Sequence, residues 1–206
     1  MKDEEIEYVF KNFEFKIVKY KDGDFILKYD DVQKYTMFIL SGSARFEMCN
    51  PDGSREIYGW SEQGSLAAFT SSTGVNAVIF DLVSCKDSTV LCLDFNDFVK
   101  DDYRLITVQH KLLKNLILLY EENERNYTEH KIILSERTTR KKICRYLDFI
   151  QKRTEKICFE IPCTHTELAD YLSVDKSSLS RELGSMKKEG LIEFTGNKFE
   201  VYESLI

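Results

Sequence analysis

The segment THTELADYLSVDKSSLSRELGSMKKEGLI, Thr164 to Ile192, constrains the fold more than any other stretch because it spells two short helices joined by a tight turn. Thr164 and Glu167 stand three apart as a capping box, and Leu168, Ala169 and Leu172 give the helix behind them one apolar face. Ser173 and Val174 carry the turn, and Asp175 is placed to cap a second helix. On that helix Leu179, Leu183 and Met186 share one side, which leaves Lys176, Ser177, Ser180 and Arg181 outward near its N-terminal end. This is the layout of a helix-turn-helix whose second helix reads base edges in the major groove of DNA. Beyond Gly190, the run LIEFTGNKFEVY alternates about Gly196 and Asn197 as a β-hairpin, so a winged helix-turn-helix is expected.

Upstream the pattern changes twice. Residues 3–13 read as a short amphipathic helix with Ile6, Val9, Phe10 and Phe13 on one side. From Phe15 the period becomes two: FKIVKY, DFILKY, YTMFILSG, SARFEMCN, REIYGW, NAVIFDLV and TVLCLDF are short, β-branched and aromatic, and turn residues such as Asp22-Gly23 and Pro51-Asp52-Gly53 separate them. Strands at this spacing imply an antiparallel roll or jelly roll. A small helix is expected at Asn96 to Lys100. From Tyr103 to Leu134 there is no Gly or Pro, and Leu105, Val108, Leu112, Leu116 and Leu119 fall on one stripe. So long a helix needs a partner along its length, and a second copy of the chain is the simplest. The stripe with Leu105, Leu112, Leu116 and Leu119 is assigned to that dimer, and Leu113, Ile117 and Tyr120 to the roll. The fold class is therefore α+β: a β-roll over residues 1–102, a dimerisation helix over 103–134 and a winged helix-turn-helix over 135–206.

Charge and composition narrow the function. The net charge of −6 argues at first against a nucleic-acid partner. Divided at Ser135, however, the C-terminal part carries 13 basic and 12 acidic side chains, against 16 and 23 before it. DNA affinity would then rest on a local cluster, Arg137, Arg140, Lys141, Lys142 and Arg145 with Lys176 and Arg181, rather than on bulk charge. No apolar run approaches the roughly 20 residues that span a bilayer, and the acidic start MKDEEIEYVF is unlike a signal peptide, so a cytoplasmic protein without membrane contact is expected. The six cysteines form no CxxC, which gives zinc and iron–sulfur ligation no spacing support; they are expected reduced, and no metal site is assigned. The three histidines are scattered, and no GxSxG, P-loop or HExxH is present, so no catalytic residue is assigned and an enzyme is not expected.

SVDKSSLSREL followed by KKEGLI resembles the DNA-binding domain of the cyclic-AMP receptor protein/Fnr family of bacterial transcription regulators. GSARFEMCNPDGSREIYGW looks like the hairpin of that family's sensor domain, whose fold is a cyclic-nucleotide-binding-like roll, so the resemblance covers nearly the whole chain. It implies a homodimer on double-stranded DNA with an inverted-repeat operator, a small-molecule effector, and RNA polymerase as a further partner. Arg181 is the candidate for a guanine, since an Arg can hold O6 and N7 together. Ser180 matches the Ser that precedes this Arg in Fnr-like members and helps read a thymine, Ser177 stands where the family has a Glu, and Lys176 is expected on a phosphate or a neighbouring purine. Thr164 and Thr166 complete the DNA-facing set. The remaining alternative is a dimeric ligand-binding module without specific DNA binding.

The sensor departs from the family's cyclic-AMP pattern. Members that bind the nucleotide carry a Glu after a Gly and an Arg some way on; here GSLAAFTSSTGVNAVIF puts Ser65 after Gly64 and Val75-Asn76 at the place of the Arg. Without a guanidinium the phosphate loses its charged, bidentate partner, so cyclic AMP is not the expected effector. Ser65, Ser71, Ser72, Thr73 and Asn76 line the effector pocket this comparison implies, with a polar surface loop as the competing reading. An Fnr-type cluster needs thiols near the N-terminus, and the first is Cys49. Haem, bound by some members, is left to His110. The effector stays unknown, as do the direction of regulation and the target genes.

Overall fold

The computed structural model describes residues 3–69, 77–100, 106–202 and 205. The chain divides into two compact units, one of residues 1–48 and 60–125, the other of residues 49–59 and 126–206.

In the first unit the acidic turn Asp3 to Glu5 opens α1 (Asp3–Asn12), where carboxylates suit the positive end of the helix dipole. Strands β1 (Phe15–Tyr20), β2 (Phe25–Leu27), β3 (Thr36–Ser41), β4 (Ser43–Cys49), β5 (Arg55–Glu62), β6 (Leu66–Ala68), β7 (Asp81–Ser84) and β8 (Ser88–Leu93) follow. They form two four-stranded sheets, ordered β1-β8-β3-β6 and β2-β7-β4-β5. Ile26, Met37, Ile39, Ala44, Leu82 and Val90 come from both sheets into one buried cluster, so the two layers enclose the core as a roll. Two sequence expectations contract: DFILKY is strand only at Phe25–Leu27, and NAVIFDLV becomes strand only from Asp81. The three-residue β6 was not expected, being too short to show a period. Between β3 and β4 the chain turns at Gly42, with φ +89°; a Cβ there would stand 2.1 Å from Ser88 Oγ and 2.6 Å from Ser88 Cα, so only glycine fits.

A single 3₁₀ turn, Phe95–Phe98, capped by Asp94, replaces the helix expected at Asn96 to Lys100. The long helix α2 (Ile106–Ser135) then begins. Its leucine stripe does not face outward as expected. Val108 and Leu116 are buried with Val9, Phe13, Leu66, Leu93 and Phe98, and Leu112, Leu113 and Leu119 pack against the same cluster. Ile117, assigned to the roll, is exposed, and Tyr120 is exposed as well, with its ring edge to face with Phe69 at 5.9 Å. The physical reason is that the sheet face behind Leu66 and Leu93, with the rings of Phe13 and Phe98, is itself apolar and takes the most continuous leucine face available.

In the second unit α3 (Thr139–Thr154) starts at the N-cap Thr138, whose hydroxyl accepts from Lys141 N, and stops at Glu155 in the left-handed region. It leads to β9 (Cys158–Glu160), α4 (His165–Leu172), α5 (Lys176–Lys188), β10 (Ile192–Thr195) and β11 (Lys198–Val201). The wing is three-stranded, ordered β10-β11-β9, with the expected turn at Gly196 and an added strand β9 that the sequence did not announce. Ile143 and Leu147 of α3, Leu168 and Leu172 of α4, and Leu179, Leu183 and Met186 of α5 form the buried centre. His165 is structural, its ring set against Phe194 and Phe199 of the wing.

Candidate nucleic-acid interface

Burying Leu179, Leu183 and Met186 fixes the rotation of α5 about its own axis. Lys176, Ser177, Ser180 and Arg181 are left exposed on one side over its first two turns. The capping box is formed as expected: Thr164 Oγ1 accepts from Glu167 N, and Glu167 accepts from Thr164 N at 2.9 Å. Thr164 and Thr166 are both exposed at that helix start. Asp175 occupies the N-cap of α5 but makes no side-chain capping bond, contrary to the sequence expectation, so the first amide groups of α5 receive nothing from its carboxylate. Arg181 lies back along its own helix, with Nε donating to Ser177 O at 3.2 Å and Nη2 to Ser178 Oγ at 3.3 Å.

The basic cluster expected over residues 137–145 is largely committed to the fold. Arg140 pairs with Glu182 and Glu189, Arg145 with Glu136, and Lys142 Nζ donates to Leu172 O at 2.8 Å. Arg137 and Lys141 remain exposed. The Arg140 hydrogen bonds, then that of Ser185, hold the Glu189 carboxyl down to about 2. Sequence spacing could not show this, because the partners lie about forty to fifty residues away on other elements. His130, which received no role from the sequence, is buried at 3% exposure. Its Nε2 donates to Tyr171 O at 2.8 Å and its ring stacks on that of Tyr171 at 4.0 Å, while burial pushes its pKa below the ordinary value.

Beside the turn between α4 and α5 stands the tip of the β4–β5 hairpin, which belongs to this same unit. Arg55 reaches Asp170 through Nε at 3.0 Å and Nη2 at 2.7 Å. A cleft of about 510 Å³ opens there, lined by Ser54, Arg55, Glu56, Asp170, Ser173 and Lys176 among others.

Of the effector-pocket candidates, Ser71, Ser72, Thr73 and Asn76 lie outside the described residues, as does Leu105 of the dimer stripe. Ser65 donates to Glu62 O at 2.6 Å and sits 2.7 Å from Ser61 Oγ, so its hydroxyl closes its own turn. None of the six cysteines is in a disulfide, and among the described residues no cluster of three or more His, Cys, Asp or Glu is placed to hold a metal. No described helix is long and apolar enough to cross a membrane.

Residues 141–203 match the Crp-like helix-turn-helix domain family. The transcriptional activator protein FnrL of Cereibacter sphaeroides is 23% identical over 188 residues, 87% of this chain and 73% of that protein. Among solved structures, FixK2 from Bradyrhizobium japonicum aligns with a TM-score of 0.72 and 18% identity, over 93% of this chain and 94% of its own. A CooA double mutant from Carboxydothermus hydrogenoformans aligns with a TM-score of 0.77 and 15% identity, over 96% and 87%. The Crp-like helix-turn-helix domain with its exposed α5, together with the similarity to a transcriptional activator, marks a DNA-binding transcription regulator rather than an enzyme. Residues 141–203 thus form a Crp-like helix-turn-helix domain, and the chain as a whole is similar to a transcriptional activator and shares the fold of FixK2 and CooA.

Proposed function

We propose that this regulator works as a homodimer in the bacterial cytoplasm, reading an inverted-repeat operator through Lys176, Ser177, Ser180 and Arg181, with Thr164 and Thr166 on the flanking backbone. The observation that carries this reading is the exposure of those four α5 side chains opposite a fully buried leucine face. Residues 1–102 are the sensor, 103–134 the dimerisation helix and 135–206 the reader. The dimer seam runs along the exposed side of α2, where Ile106, Tyr120, Tyr127 and Leu134 recur at multiples of seven residues with Ile117 between them. Ile106, Ile117, Tyr120, Tyr127 and Leu134 are exposed in the single chain, which supports a seam on this face in place of the buried leucines.

The effector is a small molecule other than cyclic AMP, since Ser65 and Asn76 stand where the nucleotide's Glu and Arg would be. His110 is exposed on α2 and offers haem no apolar enclosure. DNA bound by the dimer is the platform from which RNA polymerase would be contacted. Selection from a random DNA pool by the full chain tests the reading. Recovery of an inverted repeat with half-sites about 34 Å apart is expected, and recovery of a single asymmetric site, or of no site, overturns it.

A further inference from the structure

The last three residues of α4 and its C-cap Ser173 are each held from outside their own helix. Asp170 takes both hydrogen bonds of Arg55, Tyr171 O accepts from His130, Leu172 O accepts from Lys142, and Ser173 O lies 3.4 Å from the same ammonium. The final carbonyls of an α-helix have no partner within it, so donors must come from elsewhere. For Tyr171, Leu172 and Ser173 they come from the end of α2 and from α3, while the hairpin tip holds Asp170 by its side-chain carboxylate, so three separate segments meet on this stretch.

The segment so held is the turn that aims α5. Ser173 adopts φ +48° and ψ +59°, Val174 N donates to Ala169 O at 3.0 Å, and α5 begins at Lys176. So short a connection has no slack, and a shift of these carbonyls carries the start of α5 with it. The grips are also half-buried to buried: side-chain exposure is 28% at Arg55 and 18% at Asp170, and His130 lies at 3%. A charge-assisted bond at such depth is worth more than a surface pair. A carbonyl only accepts, so His130 carries its proton on Nε2, and burial favours that neutral ring.

Two of the three segments come straight from the other unit along the chain. The hairpin tip leaves it at Met48 and rejoins it at Trp60, and α2 leaves it at Arg125. We infer that Arg55, His130 and Lys142 are positioning residues for DNA reading, fixing the α4–α5 turn from the two segments that continue into the sensor and from α3. This rests on the DNA-reading function proposed above. It adds that specificity depends on side chains that touch no base.

The test uses the full chain with Arg55→Met, His130→Phe, which keeps the stack on Tyr171, and Lys142→Met. Each should weaken binding to the operator recovered by the unaltered protein by about tenfold while leaving affinity for random DNA and the salt slope unchanged. Lys142→Arg should restore binding, as should the exchanged pair Arg55→Asp with Asp170→Arg where either single reversal fails. In the free protein the Val174 amide should exchange hydrogen about tenfold faster in each loss variant, with melting temperature little changed. Wild-type operator affinity and wild-type exchange at Val174 would overturn the inference. So would parallel loss of specific binding, random-DNA binding and melting temperature without rescue by Lys142→Arg or the exchanged pair, since that pattern marks a purely structural role. Should the unaltered protein select no operator, the DNA reading is withdrawn and the inference with it as a statement about specificity, while exchange at Val174 still decides whether these side chains fix the turn.

Discussion

Arg140 of α3 closes on Glu189, the residue that ends α5, through two hydrogen bonds, Nη1 at 2.7 Å and Nη2 at 2.6 Å, while its Nε is held by Glu182. A planar guanidinium with both edges occupied fixes the far end of the reading helix.

Acid should loosen this clamp in a defined window. Glu189 titrates at about 2 in the folded chain against an ordinary 4.5, so the folded state binds its proton less readily than the unfolded state. Its contribution is full above 4.5 and is lost as the pH falls toward 2. Arg140→Ala should therefore lower the melting temperature at neutral pH and converge on the unaltered protein near pH 2. A difference that stayed constant across the titration would assign the effect to packing.

Dimerisation should respond to the exposed face of α2 and not to its buried leucines. Asp at both Ile117 and Tyr127 places charge in the seam and should give monomers that remain folded. Leu116→Ala, whose side chain lies in the roll core, should instead cost about 2–5 kcal/mol of stability and leave the dimer intact. Light scattering together with calorimetric melting separates the two; a monomer from Leu116→Ala alone would return the seam to the leucine stripe.

On DNA, Arg181→Ala should lose about 1–3 kcal/mol and relax the choice of one guanine per half-site. Lys176→Ala should weaken all sequences alike and flatten the salt slope. Competition binding over a range of salt distinguishes the two effects. Unchanged base preference without Arg181 would remove α5 as the reader.

Gly42→Ala should damage the roll, because the added methyl meets the backbone of Ser88 in a left-handed turn. A loss of more than about 1 kcal/mol in urea unfolding is expected. A stability equal to that of the unaltered chain would mean that the β3–β4 turn can relax away from Ser88.

The winged helix-turn-helix was legible from local signals alone: the Thr164–Glu167 box, the leucine period on α5 and the Gly196-Asn197 turn each depend on neighbours a few residues apart. The roll was legible as alternation, with strand ends misjudged where β2 and β7 shorten. What escaped depends on distant partners. The side of α2 that meets the roll is decided by Phe13, Leu66, Leu93 and Phe98, none of which the helix's own period reveals. The run of cations before α4 read as a DNA-facing cluster because Glu136, Glu182 and Glu189, which occupy two of its arginines, come from other turns and other helices. His130 carried no signal beyond its rarity, since its partner is a backbone carbonyl that any residue supplies.

The hairpin tip is synthesised early and completed late. In the chain, 115 residues separate Arg55 from Asp170. At about 5–20 residues per second, the tip waits on the order of ten seconds on the ribosome before its carboxylate partner exists. A fragment beginning at Asn126 never acquires it, so the reader produced alone should fold around α3 to β11 yet leave Asp170 without its guanidinium.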